Sequence, residues 1–124
     1  MLTRDDVNSG KIYEDTVGII PRFGPSSSEG GSFLYFPYRA LVPAKVEGLL
    51  VAGRSFSSDA AANNMINLIP HCIIMGQAAG TGAALALQNG VSVRQVNYKE
   101  LQKSLSGQGV PLPSEIKQEK AGAR

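Results

Sequence analysis

His71, Cys72, Arg39 and Arg54 have the types and settings that chemistry can use. His71 is the only histidine, and an imidazole titrates where a general acid or base must. It stands in an apolar helical stretch, a setting that favours a histidine hydrogen-bonded within helix packing. Cys72 is the only cysteine. A redox thiol needs a basic, accessible environment, and the neighbours Ile73, Ile74 and Met75 point to a buried, inert thiol instead. One histidine and one cysteine are too few ligands for tetrahedral zinc, so no metal site is expected. Arg39 and Arg54 each lie beside a strand end, where a guanidinium can grip a carboxylate or phosphate bidentately. The competing use is a structural salt bridge to Asp59 or Glu47. Asp5-Asp6 and Glu14-Asp15 read as solvated surface, and no residue is assigned as catalytic.

The elements that must position these side chains form a strand, a loop and a helix. Gly48–Gly53 is an apolar run between glycines, which suits a strand buried on both faces as in parallel sheets. Arg54–Asn64 reads as a loop rich in serine, alanine and asparagine, and a helix follows from about Asn67 to Gln88. Pro70 is tolerated in its first turn, and Asn89-Gly90 supplies a left-handed stop. A strand ending in glycine before such a helix can place backbone N–H groups around a ligand. The donors near Asn67, Leu68 and Ile69 suit a carbonyl oxygen or a partial negative charge; an ordinary crossover is the alternative. Gly76 and Gly80 lie four apart on one helix face, each costing about 1 kcal/mol relative to alanine. Something must approach that face closely to offset the cost. The string from Gly76 to Gly82 is not a phosphate loop, because it lies inside a helix.

Upstream, residues 1–15 read as a polar surface lead-in, and Thr16–Phe23 as a short strand that Pro21 ends early or confines to an edge. Gly24–Gly31 reads as a flexible loop. Ser32–Phe36 reads as a strand that Tyr38–Val42 can continue beyond Pro37, and Pro43–Glu47 as a turn. Downstream, Asn97 caps a short helix with Glu100 reaching back, and Val96 and Leu101 stand at the two staple positions. Tyr98, Leu101 and Leu105 share a face, Gly107 or Gly109 ends the helix, and the charged segment after Pro113 reads as a frayed tail.

The chain has 124 residues, 43% of them hydrophobic and 18% charged, which sets a single small globular domain. A net charge of +2 with scattered lysines and arginines argues against nucleic acid. The N-terminus lacks an apolar signal core and no internal disulfide can form, which fits a cytoplasmic protein. Leu68–Leu87 is long enough to span a bilayer. Pro70, His71, Gln77, Thr81 and three glycines make it instead a helix buried on most sides inside a protein, and no membrane span is expected.

Phe36-Pro37-Tyr38-Arg39-Ala40-Leu41-Val42-Pro43, then Leu49-Leu50-Val51-Ala52-Gly53-Arg54, then Cys72 and Gly76-Gln77-Ala78-Ala79-Gly80-Thr81, resemble the C-terminal part of the FAD-dependent oxidoreductase family. Leu101-Gln102, Leu105 and Gly107-Gln108-Gly109 resemble its closing helix, so the likeness covers about residues 33–112. Several motifs in order make it more specific than any one alone. The resemblance implies an α/β fold, a partial FAD-binding unit of few strands, a long glycine- and alanine-rich buried helix and a short C-terminal helix. It divides the chain into residues 1–45, the end of a substrate-binding domain, residues 46–112, the end of an FAD-binding domain, and a disordered tail over 113–124. Carried over by position, Gly53 and Arg54 would lie against the ribityl and pyrophosphate part of FAD. Asn67, Leu68 and Ile69 would bring the helix start to the isoalloxazine ring, and Arg39 would face a small-molecule substrate. The family often has arginine where Asn67 stands. No Gly-x-Gly-x-x-Gly follows a strand, so the ADP half of FAD needs a missing dinucleotide-binding half or another subunit. The alternative is a non-catalytic remnant or a homo-oligomeric interaction subunit without bound flavin, held by the glycine-faced helix.

Overall fold

The computed structural model describes residues 1–21 and 33–113. Its sheet is a single antiparallel pair, β1 (Thr16–Pro21) and β2 (Phe33–Pro37), with Gly18 opposite Phe36 and Ile20 opposite Leu34. The register shifts by a bulge between Thr16 and Gly18. β2 ends at Pro37, which has no N–H to continue a ladder. Val17, Ile20, Leu34 and Phe36 are buried, and Phe36 meets Phe56 edge-to-face with ring centroids 5.4 Å apart. The expected loop over Gly24–Gly31, with Phe23 and Ser32 at its flanks, and the expected tail beyond Pro113 lie outside the described residues.

The lead-in is structured. Thr3 and Asp6 form a reciprocal capping box that opens α1 (Arg4–Ser9), which Gly10 ends at φ 63°. Leu2 and Val7 are buried, and Leu2 forms a parallel bridge with Ser58. Tyr38–Leu41 is a 3-10 turn, not a continuation of β2. Asp15 causes the bend: its carbonyl accepts the Tyr38 N–H at 2.8 Å and its carboxylate accepts the Arg39 N–H at 2.8 Å.

Gly48–Gly53 does not form a strand among the described residues and is half-buried to exposed. An apolar run becomes a buried strand only with neighbours on both sides. Here the Val51 N–H reaches Leu41 O at 2.8 Å, and Gly48 and Gly53 turn the run out of the extended region at φ 68° and 82°. The segment read as a loop contains α2 (Ala60–Met65), capped by the Asp59 carboxylate on Ala62 N at 2.7 Å.

The long helix, α3 (Ile69–Asn89), has Pro70 in its first turn and stops at Gly90 in the left-handed region. It packs on β1, where Ile74 fills the space a side chain at Gly18 would need. Only one face is covered: His71, Met75, Ala78, Gly82, Leu85 and Ala86 point inward. Ile69, Ile73 and Leu87 are 70%, 62% and 85% exposed, so the helix is not buried on most sides. The close approach that glycines signalled occurs at Gly82, where an added Cβ would stand 2.7 Å from the Tyr38 hydroxyl. At Gly76 and Gly80 an added Cβ would meet nothing within 4 Å. No helix of the described residues is long and apolar enough to cross a membrane.

The last helix, α4 (Tyr98–Gly107), has the expected Asn97 cap, which accepts from Lys99 N and Glu100 N, but Glu100 does not reach back to it. Val96 packs against the core to which the fully buried Leu101 and Leu105 belong. Glu100 accepts a bond from Asn89 at 2.9 Å, so its carboxylate joins α4 to the end of α3. Gln102 is buried and donates to Glu14 O and Thr16 O, which fastens α4 to β1. The result is an α/β unit with few strands, one long helix and a short C-terminal helix.

Candidate functional site

The start of α3 is the first of two loci where polar groups gather. Leu68 occupies its N-cap with extended backbone and no side-chain bond of its own, and His71 supplies the missing partner. The Leu68 N–H donates to His71 Nδ1 at 3.3 Å, which leaves Nε2 to donate to Pro21 O at 3.3 Å. His71 is fully buried, and that burial holds its pKa below the usual imidazole value. A histidine fixed at both ring nitrogens between β1 and α3 is a structural fastener, as its apolar setting indicated. Ile69 belongs to the first turn, whose N–H groups have no intrahelical partner. Both Leu68 and Ile69 lie exposed.

The preceding loop folds onto this helix start. Arg54 Nε donates to Asn67 O at 2.9 Å, and Asn63 donates from its amide to Arg54 O at 2.9 Å. Gly53 turns the chain at φ 82°, with Cys72 Sγ 4.0 Å from where a Cβ would be. Cys72 is therefore half-buried at the edge of the locus rather than sealed in the core. Asp59 anchors the far end of the loop by accepting from Ala62 N and from Arg4 N. These amide bonds lower its pKa, the Ala62 bond most. The Arg54–Asn67 bond thus brings the Gly53 turn to the start of α3, where Leu68 and Ile69 follow.

Arg39 sits apart, in a second locus. Its Nη2 meets Asp15 Oδ1 at 2.7 Å and its Nε lies 2.9 Å from both carboxylate oxygens, with the guanidinium 5.7 Å from the Tyr13 ring centroid. The bonds to Asp15 raise the pKa of Arg39. Asp15 is only 6% exposed, so it is not the solvated surface group its acidic neighbour Glu14 made it resemble. Its partner is neither of those expected: Asp59 caps α2, and Glu47 pairs with Arg94 at 3.1 Å. Beside this pair Tyr38 is buried, which pushes its pKa up to about 12, and its hydroxyl donates to Val93 O at 3.0 Å. Asp15 and Arg94 escaped the sequence reading.

The first locus gathers a left-handed glycine turn, a guanidinium bonded through Nε alone, and a helix start without acidic residues in its first turn. Among the described residues no group of three or more His, Cys, Asp or Glu could hold a metal ion. The family model described as FAD dependent oxidoreductase matches residues 26–105 of the chain. No curated protein and no solved structure matches it.

Proposed function

From the premise that the chain belongs to the FAD-dependent oxidoreductase family, whose cofactor is FAD, we propose that it supplies the ribityl and isoalloxazine side of a flavin site. One observation carries this: the Arg54–Asn67 bond draws the Gly53 turn onto the start of α3, so that loop and helix present donors together. Gly53 allows the backbone to approach the ribityl chain, Arg54 offers charge toward the pyrophosphate, and the amides at Asn67 and Ile69 face the ring, with Leu68 between them held at the helix start by its bond to His71. Bound flavin supplies the hydride or electron chemistry, and the protein groups position and polarise it. Arg39, held by Asp15, belongs to the substrate side. A dinucleotide-binding half, on the same or another polypeptide, completes the site by taking the ADP portion.

The test separates the two ends of the cofactor. FMN titrated into the ¹⁵N-labelled chain is expected to shift the amides of Gly53, Arg54, Asn67, Leu68 and Ile69, while AMP leaves them unmoved. Equal responses to both compounds, or none to FMN, would overturn the assignment.

A second use of the chain, as a homo-oligomer, is favoured by the exposed stripe of Ile69, Ile73 and Leu87 around Gly76 and Gly80. It requires a multimer in sedimentation that Gly80→Leu dissociates. A monomer at all concentrations removes it.

A further inference from the structure

Two clefts meet at the second locus. One, of about 240 Å³, has Tyr38, Val42, Val96 and Tyr98 as walls and Asp15, Arg39 and Arg94 as polar groups. The other, of about 420 Å³, shares Arg39, Val42 and Arg94 with it. Arg39 and Arg94 therefore line both spaces, and the smaller one is otherwise walled largely by apolar and tyrosine side chains. A concave apolar site with a few convergent polar groups is the usual form of a small-molecule site.

The ion pairs on the two arginines differ. Asp15 is buried and holds Arg39 through Nε and Nη2, leaving the Nη1 donors for another acceptor. Arg94 donates Nε to Glu47 and Nη2 to Pro43 O at 2.6 Å, and again Nη1 remains. The Glu47 side chain is 70% exposed, so water readily replaces it and its pairing contributes little. The buried Asp15 thus holds Arg39 from the protein side, while Glu47 is an exchangeable occupant of Arg94.

We propose that this cleft binds a small organic carboxylate with an apolar body, the carboxylate displacing Glu47 to bridge Arg94 and Arg39 and the body lying against Val42 and Val96. This rests on Arg39 as a substrate-side group but not on the flavin locus. The planar fork of arginine suits a carboxylate bidentately, and the tyrosine and valine walls favour a ligand body that gains by leaving water.

Benzoate titrated into the ¹⁵N-labelled chain at constant ionic strength, without flavin, tests it. Saturable shifts at Val42, Val96 and Tyr98 are expected, weakened at least roughly fivefold in Arg94→Gln. Glu47→Gln removes the competing carboxylate and is expected to tighten binding about two- to fivefold, the ratio an exposed ion pair can hold back. Non-saturating shifts, or a Glu47→Gln affinity equal to or below that of the parent chain, would overturn the proposal. So would inorganic phosphate binding with the same affinity, since phosphate has no apolar body. Because FMN is absent, failure here leaves the flavin assignment standing, and failure of the FMN titration leaves this site standing.

Discussion

Replacing each of three glycines in α3 by alanine should give opposite signs on the same helix. Alanine is favoured over glycine in a helix interior by about 1 kcal/mol. At Gly76 and Gly80 an added Cβ meets nothing within 4 Å, so Gly76→Ala and Gly80→Ala should each stabilise the isolated chain by roughly 0.5–1 kcal/mol. At Gly82 the new methyl would stand 2.7 Å from Tyr38 Oη and 2.8 Å from Cε2. The ring must move, and it is held by burial and by its bond to Val93 O. Overpacking costs about 1–3 kcal/mol and a lost hydrogen bond about 1 kcal/mol, which together outweigh the propensity gain. Gly82→Ala should therefore destabilise by roughly 1–3 kcal/mol. Urea denaturation of the three variants reads these values directly, with unchanged m-values confirming that the unfolding transition is the same. Tyr38→Phe removes the nearest atom, so Gly82→Ala should cost less in that background. A Gly82→Ala variant as stable as Gly80→Ala would refute the packing described for Tyr38.

Asp15→Ala strands the Arg39 amide and guanidinium together; because Arg39 is largely exposed the ion-pair part is small, and a loss of about 2 kcal/mol in urea is expected, mostly from the backbone donor. Asp15→Asn, which keeps an acceptor, should cost about half as much. Stability should fall with acid below about pH 6.5, because the pKa of His71 is lowered in the folded state and the unfolded chain binds the proton first. The contribution is fully present above the unfolded value and is lost as pH falls toward and through the folded one. His71→Gln should flatten that part of the pH–stability curve, and an unchanged slope would show that another group titrates.

Local signals in the sequence were legible where one or two residues dictate geometry. Pro37 ended β2, Gly90 stopped α3, and Asn97 capped α4. Helices α1 and α2 were hidden by their shortness, although Thr3 with Asp6, and Asp59 before three alanines, carried capping chemistry. Gly48–Gly53 misled because apolarity marks a segment that can be buried, while strand formation depends on partners elsewhere. The glycine pattern of α3 was read correctly as a sign of close contact but on the wrong face, since Gly82 and not Gly76 or Gly80 meets a neighbour. The Asp15–Arg39 pair spans 24 residues of chain, and no local pattern announces such a partner.

The carboxylate of Asp59 binds two elements at once, accepting from Arg4 N at 3.0 Å and from Ala62 N at 2.7 Å, while Leu2 exchanges backbone bonds with Ser57 and Asp59. The first few residues of the chain are thereby the hinge pin of the loop that carries Gly53 and Arg54. Coupling of this kind is reciprocal. Whatever quiets the Gly53 turn must also slow amide hydrogen exchange at Leu2 and Asp59, and a bulky extension that pries Leu2 from Ser57 must raise the entropy the loop loses on engaging a ligand. The choice of where to fuse a tag on this protein is therefore a choice about its candidate flavin surface.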